Sequence, residues 1–150
     1  IYLAATLHDM CDKKYMNESE GLLEINAFLN SKITDAEIAA VAAIITTMSY
    51  SKVKRDGFPD LGVYQRAYHI VREADLLTAY DFDRCMIYHM KVNKGNFKDS
   101  FFKAEELFEN RVFKHADDNL FTTDYALTHY SALHNQALEH IKRWKTIFFV

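Results

Sequence analysis

The chain has 150 residues, of which 49% are hydrophobic and 26% are charged, which suits one compact domain and excludes wholesale disorder. Four Gly and one Pro are too few for the many tight turns of an all-β sandwich or barrel, so an all-α fold is expected. A net charge of −3 argues against a nucleic-acid polymer as the partner.

The membrane and disulfide-rich classes are excluded by local features. No apolar run approaches the roughly 20 residues that a membrane span needs, so no membrane partner is expected. Cys11 and Cys85 are too few for a disulfide framework, and neither belongs to a C-x-x-C pair. The simplest interpretation is that both cysteines are reduced thiols and that the protein is located in the cytoplasm or another reducing intracellular compartment.

The spacing of apolar residues predicts about seven helices in a single domain that covers residues 1–150. The first helix extends from the chain start to about residues 9–12, and the second covers about 18–29. The third begins after Thr34, because Thr34 and Glu37 form a capping-box pattern. The chain starts directly in apolar sequence, which indicates that further residues precede Ile1 in the domain.

The remaining helices follow the segment 49–60, which contains Gly57 and Pro59 and is predicted to be a loop. The fourth helix is expected at about 62–80, and its predicted apolar face consists of Val63, Ala67, Ile70, Ala74 and Leu77. The last three helices are expected at about 82–92, at about 97–116 and from about 123 onward.

Acidic residues occur at two places where a helical core ought to be apolar. His8 and Asp9 follow an apolar run that ends at Leu7, and Asp75 lies inside the apolar stretch 71–77. A carboxylate that is buried without a partner costs several kcal/mol, so each is expected to be neutralised, hydrogen-bonded or bound to a cation. An imidazole and two carboxylates that converge in a helical core are typical of a divalent-metal site.

Two stretches carry a resemblance to a known superfamily. Residues 3–15 read LAATLHDMCDKKY, a pattern of small and apolar residues followed by His-Asp and then by a nearby Asp and Lys. Residues 71–79 read VREADLLTA and resemble a segment that carries a metal-binding Asp. The chain thus resembles the HD-domain metal-dependent phosphohydrolases, in particular the soluble hydrolases that consist of a single HD domain.

This resemblance implies an HD-type bundle of helices that holds a divalent metal ion, which would be Mn, Mg, Fe, Zn, Co or Ni. The implied metal ligands are His8, Asp9 and Asp75. The ion would activate water to hydrolyse a phosphomonoester or phosphoanhydride of a small molecule, with a nucleotide as the expected substrate. A phosphohydrolase is therefore the leading interpretation, and self-association is left open.

Further residues near these ligands are candidates for catalysis and substrate binding. Asp12 follows His8 by one turn and is expected to orient or deprotonate the attacking water, or else to cap a helix or pair with Lys13. Glu73 is a candidate proton-transfer group, or an ordinary exposed glutamate. Four basic residues are candidates for binding phosphate, and ordinary solvated surface is the alternative for each of them. Those within 49–60 would lie on a loop that acts as a lid. The four residues are Lys14, Lys52, Lys54 and Arg55.

Two departures from the family pattern keep other interpretations open. The first His of the family lies on a helix before the His-Asp helix, so that ligand is expected upstream of Ile1. Many relatives also carry a His in the segment where this chain has Met48. The main alternative is therefore a catalytically degenerate HD scaffold that acts as a binding or regulatory module.

The residues themselves also allow interpretations that need no metal. His8 and Asp9 would then form a hydrogen bond at a helix end, and Asp75 would pair with Arg72 or Arg84. A helical interaction domain unrelated to the superfamily is the third possibility for the chain as a whole.

Overall fold

A computed structural model describes residues 1–12 and 17–148, and within these ranges the chain forms helices and no β-strand. The prediction of an all-α fold is confirmed. The α-helices are α1 (Tyr2–Leu7), α2 (Glu18–Leu29), α3 (Asp35–Thr47), α4 (Tyr50–Asp56), α5 (Gln65–Thr78), α6 (Phe82–Asn93), α7 (Phe97–Asn110) and α8 (Asp124–Phe148). Short 3₁₀ turns cover His8–Cys11, Gly62–Tyr64 and Val112–Lys114.

The chain divides into two compact units, Ile1–Arg72 and Glu73–Val150. The boundary between them falls within α5, between Arg72 and Glu73. The interpretation of the whole chain as a single domain stays a prediction. Within the described ranges, the structure has no helix with the length and apolarity that crossing a membrane requires.

The core of the first unit is built mainly from α1, α2 and α3. Ala4 and Ile25 are completely buried there, and Met48 belongs to the same cluster of apolar side chains. The predicted capping box is confirmed, because the Glu37 backbone N–H donates to Thr34 Oγ1 at 3.3 Å and the Thr34 N–H donates to Glu37 Oε2 at 2.9 Å. Both exposed amides at the start of α3 are thereby satisfied.

The core of the second unit is aromatic. The Phe82 ring packs edge-on against Phe101 and Phe108, with ring centroids 5.6 and 5.1 Å apart. Phe101 and Phe108 lie on α7, and both are completely buried. The helix itself ends at Asn110 rather than near residue 116, and the 3₁₀ turn Val112–Lys114 follows it.

The prediction of a loop over 49–60 is wrong for its first half. Tyr50–Asp56 forms α4, which buries Val53 and ends at Gly57. Gly57 has φ of +77°, a conformation that glycine adopts without the steric cost that a Cβ would bring. The sequence signal of Gly57 and Pro59 therefore marks the end of a helix and the loop that follows it, not a loop from residue 49.

The predicted apolar face of α5 is wrong at two of its five positions, Val63 and Ala74, whereas Leu77 is buried as predicted. Val63 precedes the helix and is 91% exposed, and Ala74 is exposed as well. Six positions of the helix are buried, and two of them carry charged side chains. The six are Tyr68, Val71, Arg72, Glu73, Leu76 and Leu77. Counting apolar residues alone cannot find such a face, because charged side chains with specific partners occupy part of it.

Candidate functional site

The His8–Asp9 pair lies on the 3₁₀ turn that directly follows α1. His8 Nδ1 is 2.7 Å from the Ala5 carbonyl oxygen, and because a carbonyl can only accept, Nδ1 carries a proton and donates it. This bond fixes the ring so that the other nitrogen, Nε2, lies 3.3 Å from Asp9 Oδ1. A histidine that ligates a metal is typically oriented in this way, by a hydrogen bond from its second ring nitrogen.

The spacing of these two atoms fits a divalent cation. Metal–ligand bonds of about 2.0–2.2 Å at angles of about 90–110° place neighbouring ligand atoms about 2.8–3.6 Å apart, and the 3.3 Å between His8 Nε2 and Asp9 Oδ1 lies in that range. With Nδ1 protonated, a neutral ring places the Nε2 lone pair near the carboxylate, which is repulsive. Either a second ring proton or a shared cation removes that repulsion.

The pair is open to solvent. The His8 side chain is 29% exposed and the Asp9 side chain is 64% exposed. The Asp9 carboxylate is therefore largely in contact with water, and part of the His8 ring is as well.

Asp75, the third implied ligand, is exposed on α5 in the second unit. The expectation that it is a buried carboxylate is wrong. Residues 1–12 and 17–148 contain no assembled group of three or more His, Cys, Asp or Glu side chains for a metal ion. The geometry that fits an ion is thus that of the His8–Asp9 pair.

The buried carboxylate of α5 is Glu73, which is only 1% exposed. Glu73 Oε1 accepts hydrogen bonds from Thr122 N at 3.0 Å and Thr122 Oγ1 at 2.7 Å, and Oε2 accepts from Thr123 N at 2.9 Å and Thr123 Oγ1 at 2.6 Å. Burial raises the pKa of Glu73, but these four hydrogen bonds outweigh burial and the net pKa is lowered. Both oxygens of an ionised Glu73 are occupied, which favours a structural role over proton transfer.

The other candidate catalytic residue, Asp12, ends the 3₁₀ turn. Its backbone N–H donates to the Asp9 carbonyl at 3.1 Å, and its own backbone is extended. The residue is half-buried. It therefore lies next to the His8–Asp9 pair, as expected, and its proposed action on water stays a prediction.

The candidate phosphate-binding residues differ in their surroundings. Lys14 lies outside the described residues, and Lys54 is exposed in the last turn of α4. Lys52 Nζ donates to both oxygens of Glu18, at 2.9 and 3.0 Å, and this ion pair is about 30% exposed on each side. Lys52 is thus engaged by a carboxylate and lies on a helix rather than on a lid.

Arg55 is engaged as well. Its guanidinium donates to both oxygens of Asp56, with distances of 2.7 Å from Nε and 2.6 Å from the terminal nitrogen. These hydrogen bonds raise the pKa of Arg55 and lower that of Asp56. A phosphate that binds to Arg55 or to Lys52 must therefore displace or join a carboxylate.

Sequence reasoning missed the surroundings of Arg72, the last residue of the first unit. Arg72 is 1% exposed, and its guanidinium carbon lies 4.6 Å from the centroid of the Phe58 ring and 5.8 Å from that of Tyr68. One of its nitrogens is 3.3 Å from His69 Nδ1. Cation–π contacts of this kind stabilise a buried guanidinium, and no periodicity in the sequence signals them.

A second polar arrangement that sequence reasoning missed lies in the second unit. Asp83 on α6 accepts a hydrogen bond from Trp144 Nε1 at 2.8 Å, and its other oxygen is 3.2 Å from His140 Nδ1. The Asp83 and His140 side chains line a groove between α6 and α8 with a volume of about 680 Å³. The 61 residues that separate Asp83 from Trp144 explain why no local motif points to the arrangement.

Comparisons with known proteins do not extend this picture. No protein-family model, no curated protein and no solved structure matches the chain.

Proposed function

We propose that this chain is a metal-dependent phosphohydrolase of the HD type, which acts on a phosphomonoester or phosphoanhydride of a small molecule, with a nucleotide as the expected substrate. The observation that carries the proposal is the geometry of the His8–Asp9 pair. An oriented imidazole nitrogen and a carboxylate oxygen lie 3.3 Å apart on a solvent-open turn, which is the spacing of neighbouring ligands on a divalent ion.

The residues have distinct tasks in this proposal. His8 and Asp9 hold the ion, and the hydrogen bond from His8 Nδ1 to Ala5 orients the ring for ligation through Nε2. Asp75 is the further ligand that the resemblance to the HD hydrolases implies. A bound divalent ion lowers the pKa of a water molecule and offsets charge on the phosphoryl oxygens. Asp12, next to the pair, orients or deprotonates the attacking water.

The substrate phosphates would be bound by the basic residues Lys14, Lys52, Lys54 and Arg55. Lys52 and Arg55 already hold Glu18 and Asp56, so phosphate binding to either residue would compete with these ion pairs. We also propose a reducing intracellular compartment, because two cysteines are too few for a disulfide framework.

The test measures metal binding and turnover together. The full-length protein, with any residues that precede Ile1, is loaded with Mn²⁺, Zn²⁺ or Fe²⁺, and its metal content is measured by mass spectrometry. Hydrolysis is screened on nucleoside mono-, di- and triphosphates and p-nitrophenyl phosphate. His8→Ala and Asp75→Ala should lose bound metal and reduce turnover by more than about 100-fold. Removing a metal ligand should lower activity at least as much as removing a residue that hydrogen-bonds to the ligand. The second change typically lowers metal affinity or activity by about 10–100-fold.

The matched control is Asp124→Ala, which removes an exposed aspartate from the first turn of α8. This variant should keep wild-type metal content and turnover. Full metal occupancy and full turnover in both His8→Ala and Asp75→Ala would overturn the assignment of the metal ligands.

A second candidate function is a catalytically degenerate HD scaffold that serves as a binding or regulatory module. The observation that favours it is Met48, whose side chain is buried in the core of the first unit where many relatives place a His. A thioether in an apolar core supplies no ligand for a second hard cation. Metal binding without hydrolysis of any substrate in the screen would favour this candidate over the enzyme.

A further inference from the structure

We infer that Gly21 is a positioning residue for the His8–Asp9 pair: it allows α2 to pack directly on the 3₁₀ turn and so sets the metal affinity of the turn. This inference rests on the proposed function. Gly21 makes no contact with the ion itself, and it acts through the backbone of the residue that follows Asp9.

The contact at Gly21 leaves no room for a side chain. A Cβ at this position would lie 2.2 Å from the Met10 carbonyl oxygen, 3.0 Å from the Met10 carbonyl carbon and 3.2 Å from Cys11 Sγ. Real Cβ atoms essentially never come within 3.0 Å of another heavy atom, so helix and turn would have to separate. Because the nearest atom belongs to the backbone, no side-chain rotation can relieve the clash.

The helix side of this contact is anchored. Glu18, three residues before Gly21, is held by Lys52 through both carboxylate oxygens at 2.9 and 3.0 Å. Ile25 and Leu29 follow Gly21 at four-residue intervals on the same face and are buried in the core. A shift of α2 away from the turn would stretch the ion pair and open the core.

The strain would therefore fall largely on the turn. Met10 is bonded to Asp9, and the Asp9 carbonyl accepts the hydrogen bond from the Asp12 N–H that closes the turn. A displacement of Met10 changes the distance between His8 Nε2 and Asp9 Oδ1, which at 3.3 Å suits neighbouring metal ligands. Metal binding is sensitive to such changes, because ligand atoms tolerate only small departures from their positions.

The experiment compares Gly21→Ala with the wild type in the full chain. Mn²⁺ affinity is measured by isothermal titration calorimetry, and folding is checked by circular dichroism at the same temperature. We expect Gly21→Ala to bind Mn²⁺ about 10–100-fold more weakly, the range seen when the support of a metal ligand is removed. Gly95→Ala is the matched control, because its Cβ would meet only the Ser100 hydroxyl at 3.2 Å, and it should bind like the wild type.

A second variant covers the case in which Gly21→Ala does not fold. Lys52→Met removes the anchor of α2 together with one positive charge. Charge alone predicts tighter binding of a cation, whereas the loss of positioning predicts weaker binding. Weaker Mn²⁺ binding by Lys52→Met supports the inference, and unchanged or tighter binding contradicts it.

The outcomes separate this inference from the proposed function. A folded Gly21→Ala chain with wild-type Mn²⁺ affinity overturns the positioning role and leaves the phosphohydrolase proposal standing. If the wild type binds no divalent ion, the proposed function fails. The positioning role of Gly21 is then tested on metal-free protein, from the ¹⁵N chemical shifts of the His8 ring. A change of these shifts in Gly21→Ala supports the positioning role, and identical shifts contradict it.

Discussion

The carboxylates of Glu73 and Asp9 are in opposite situations. Glu73 is 1% exposed and accepts four hydrogen bonds from two threonines, whereas the Asp9 side chain is 64% exposed and lies beside one imidazole nitrogen. Both follow from the same rule, that an ionised carboxylate needs water or partners. The Glu73 carboxylate is hydrogen-bonded to fixed donors of the protein, whereas the Asp9 carboxylate is exposed to water.

This difference separates a structural acid, Glu73, from Asp9, the acid that the proposed function assigns to metal binding. The hydrogen bonds of Glu73 join α5 to the start of α8, where Thr123 Oγ1 also accepts a hydrogen bond from Ala126 N at 3.3 Å. Removing Glu73 should therefore damage the fold. Removing Asp9 should leave the fold intact and abolish binding of an ion.

The largest expected effect is that of Glu73→Ala on stability. The substitution leaves the backbone N–H groups of Thr122 and Thr123 without their acceptor and opens a cavity beside them. We expect the free energy of unfolding to fall by about 2–5 kcal/mol. Urea denaturation followed by circular dichroism measures this loss.

The control for that measurement is Glu109→Ala, which truncates an exposed glutamate on α7. Its free energy of unfolding should stay within about 0.5 kcal/mol of the wild type. A loss for Glu73→Ala no greater than that of Glu109→Ala would show that the four hydrogen bonds contribute little to stability.

A smaller effect is expected from acid. The pKa of Glu73 is lowered in the folded chain, so the unfolded chain binds the proton more readily. The contribution of the ionised group is thus fully present above the unfolded pKa of about 4.3 and is lost as the pH falls through the folded pKa. We expect the stability of the wild type to decline more steeply between about pH 5 and pH 3 than that of Glu73→Gln.

Glu109→Gln again serves as the reference, because it removes an exposed acid and should keep the wild-type slope. Equal slopes for the wild type and for Glu73→Gln, measured as unfolding free energy at a series of pH values, would contradict the assignment of an ionised, hydrogen-bonded Glu73.

Local signals predicted most of the helices. The second predicted helix coincides with Glu18–Leu29, and the capping box at Thr34 lies where the spacing of Thr34 and Glu37 put it. These features depend on residues within one or two turns of each other, which a sequence displays directly. Helix α4 was missed because its seven residues bury only Val53 and so show no apolar period.

The candidate site was predictable only in part. His8 and Asp9 are neighbours in the chain, and the turn that places them together is local. The burial of Glu73 instead of Asp75 depends on two threonines 49 and 50 residues away, and the packing of α2 on Met10 depends on the absence of a Cβ at Gly21. Partners at such distances leave no trace in the local pattern of apolar and polar residues.

The smallest effect on stability is expected for Asp9→Asn. The His8–Asp9 pair is exposed enough for water to screen it, and ion pairs of this kind contribute about 0–1 kcal/mol. The free energy of unfolding without metal should therefore change by less than about 1 kcal/mol. Added Mn²⁺ should stabilise the wild type, by about 2.7 kcal/mol at 100 times its dissociation constant, and should leave Asp9→Asn unchanged. Equal stabilisation of both chains by Mn²⁺, read from urea denaturation, would remove Asp9 from the metal site and erase its contrast with Glu73.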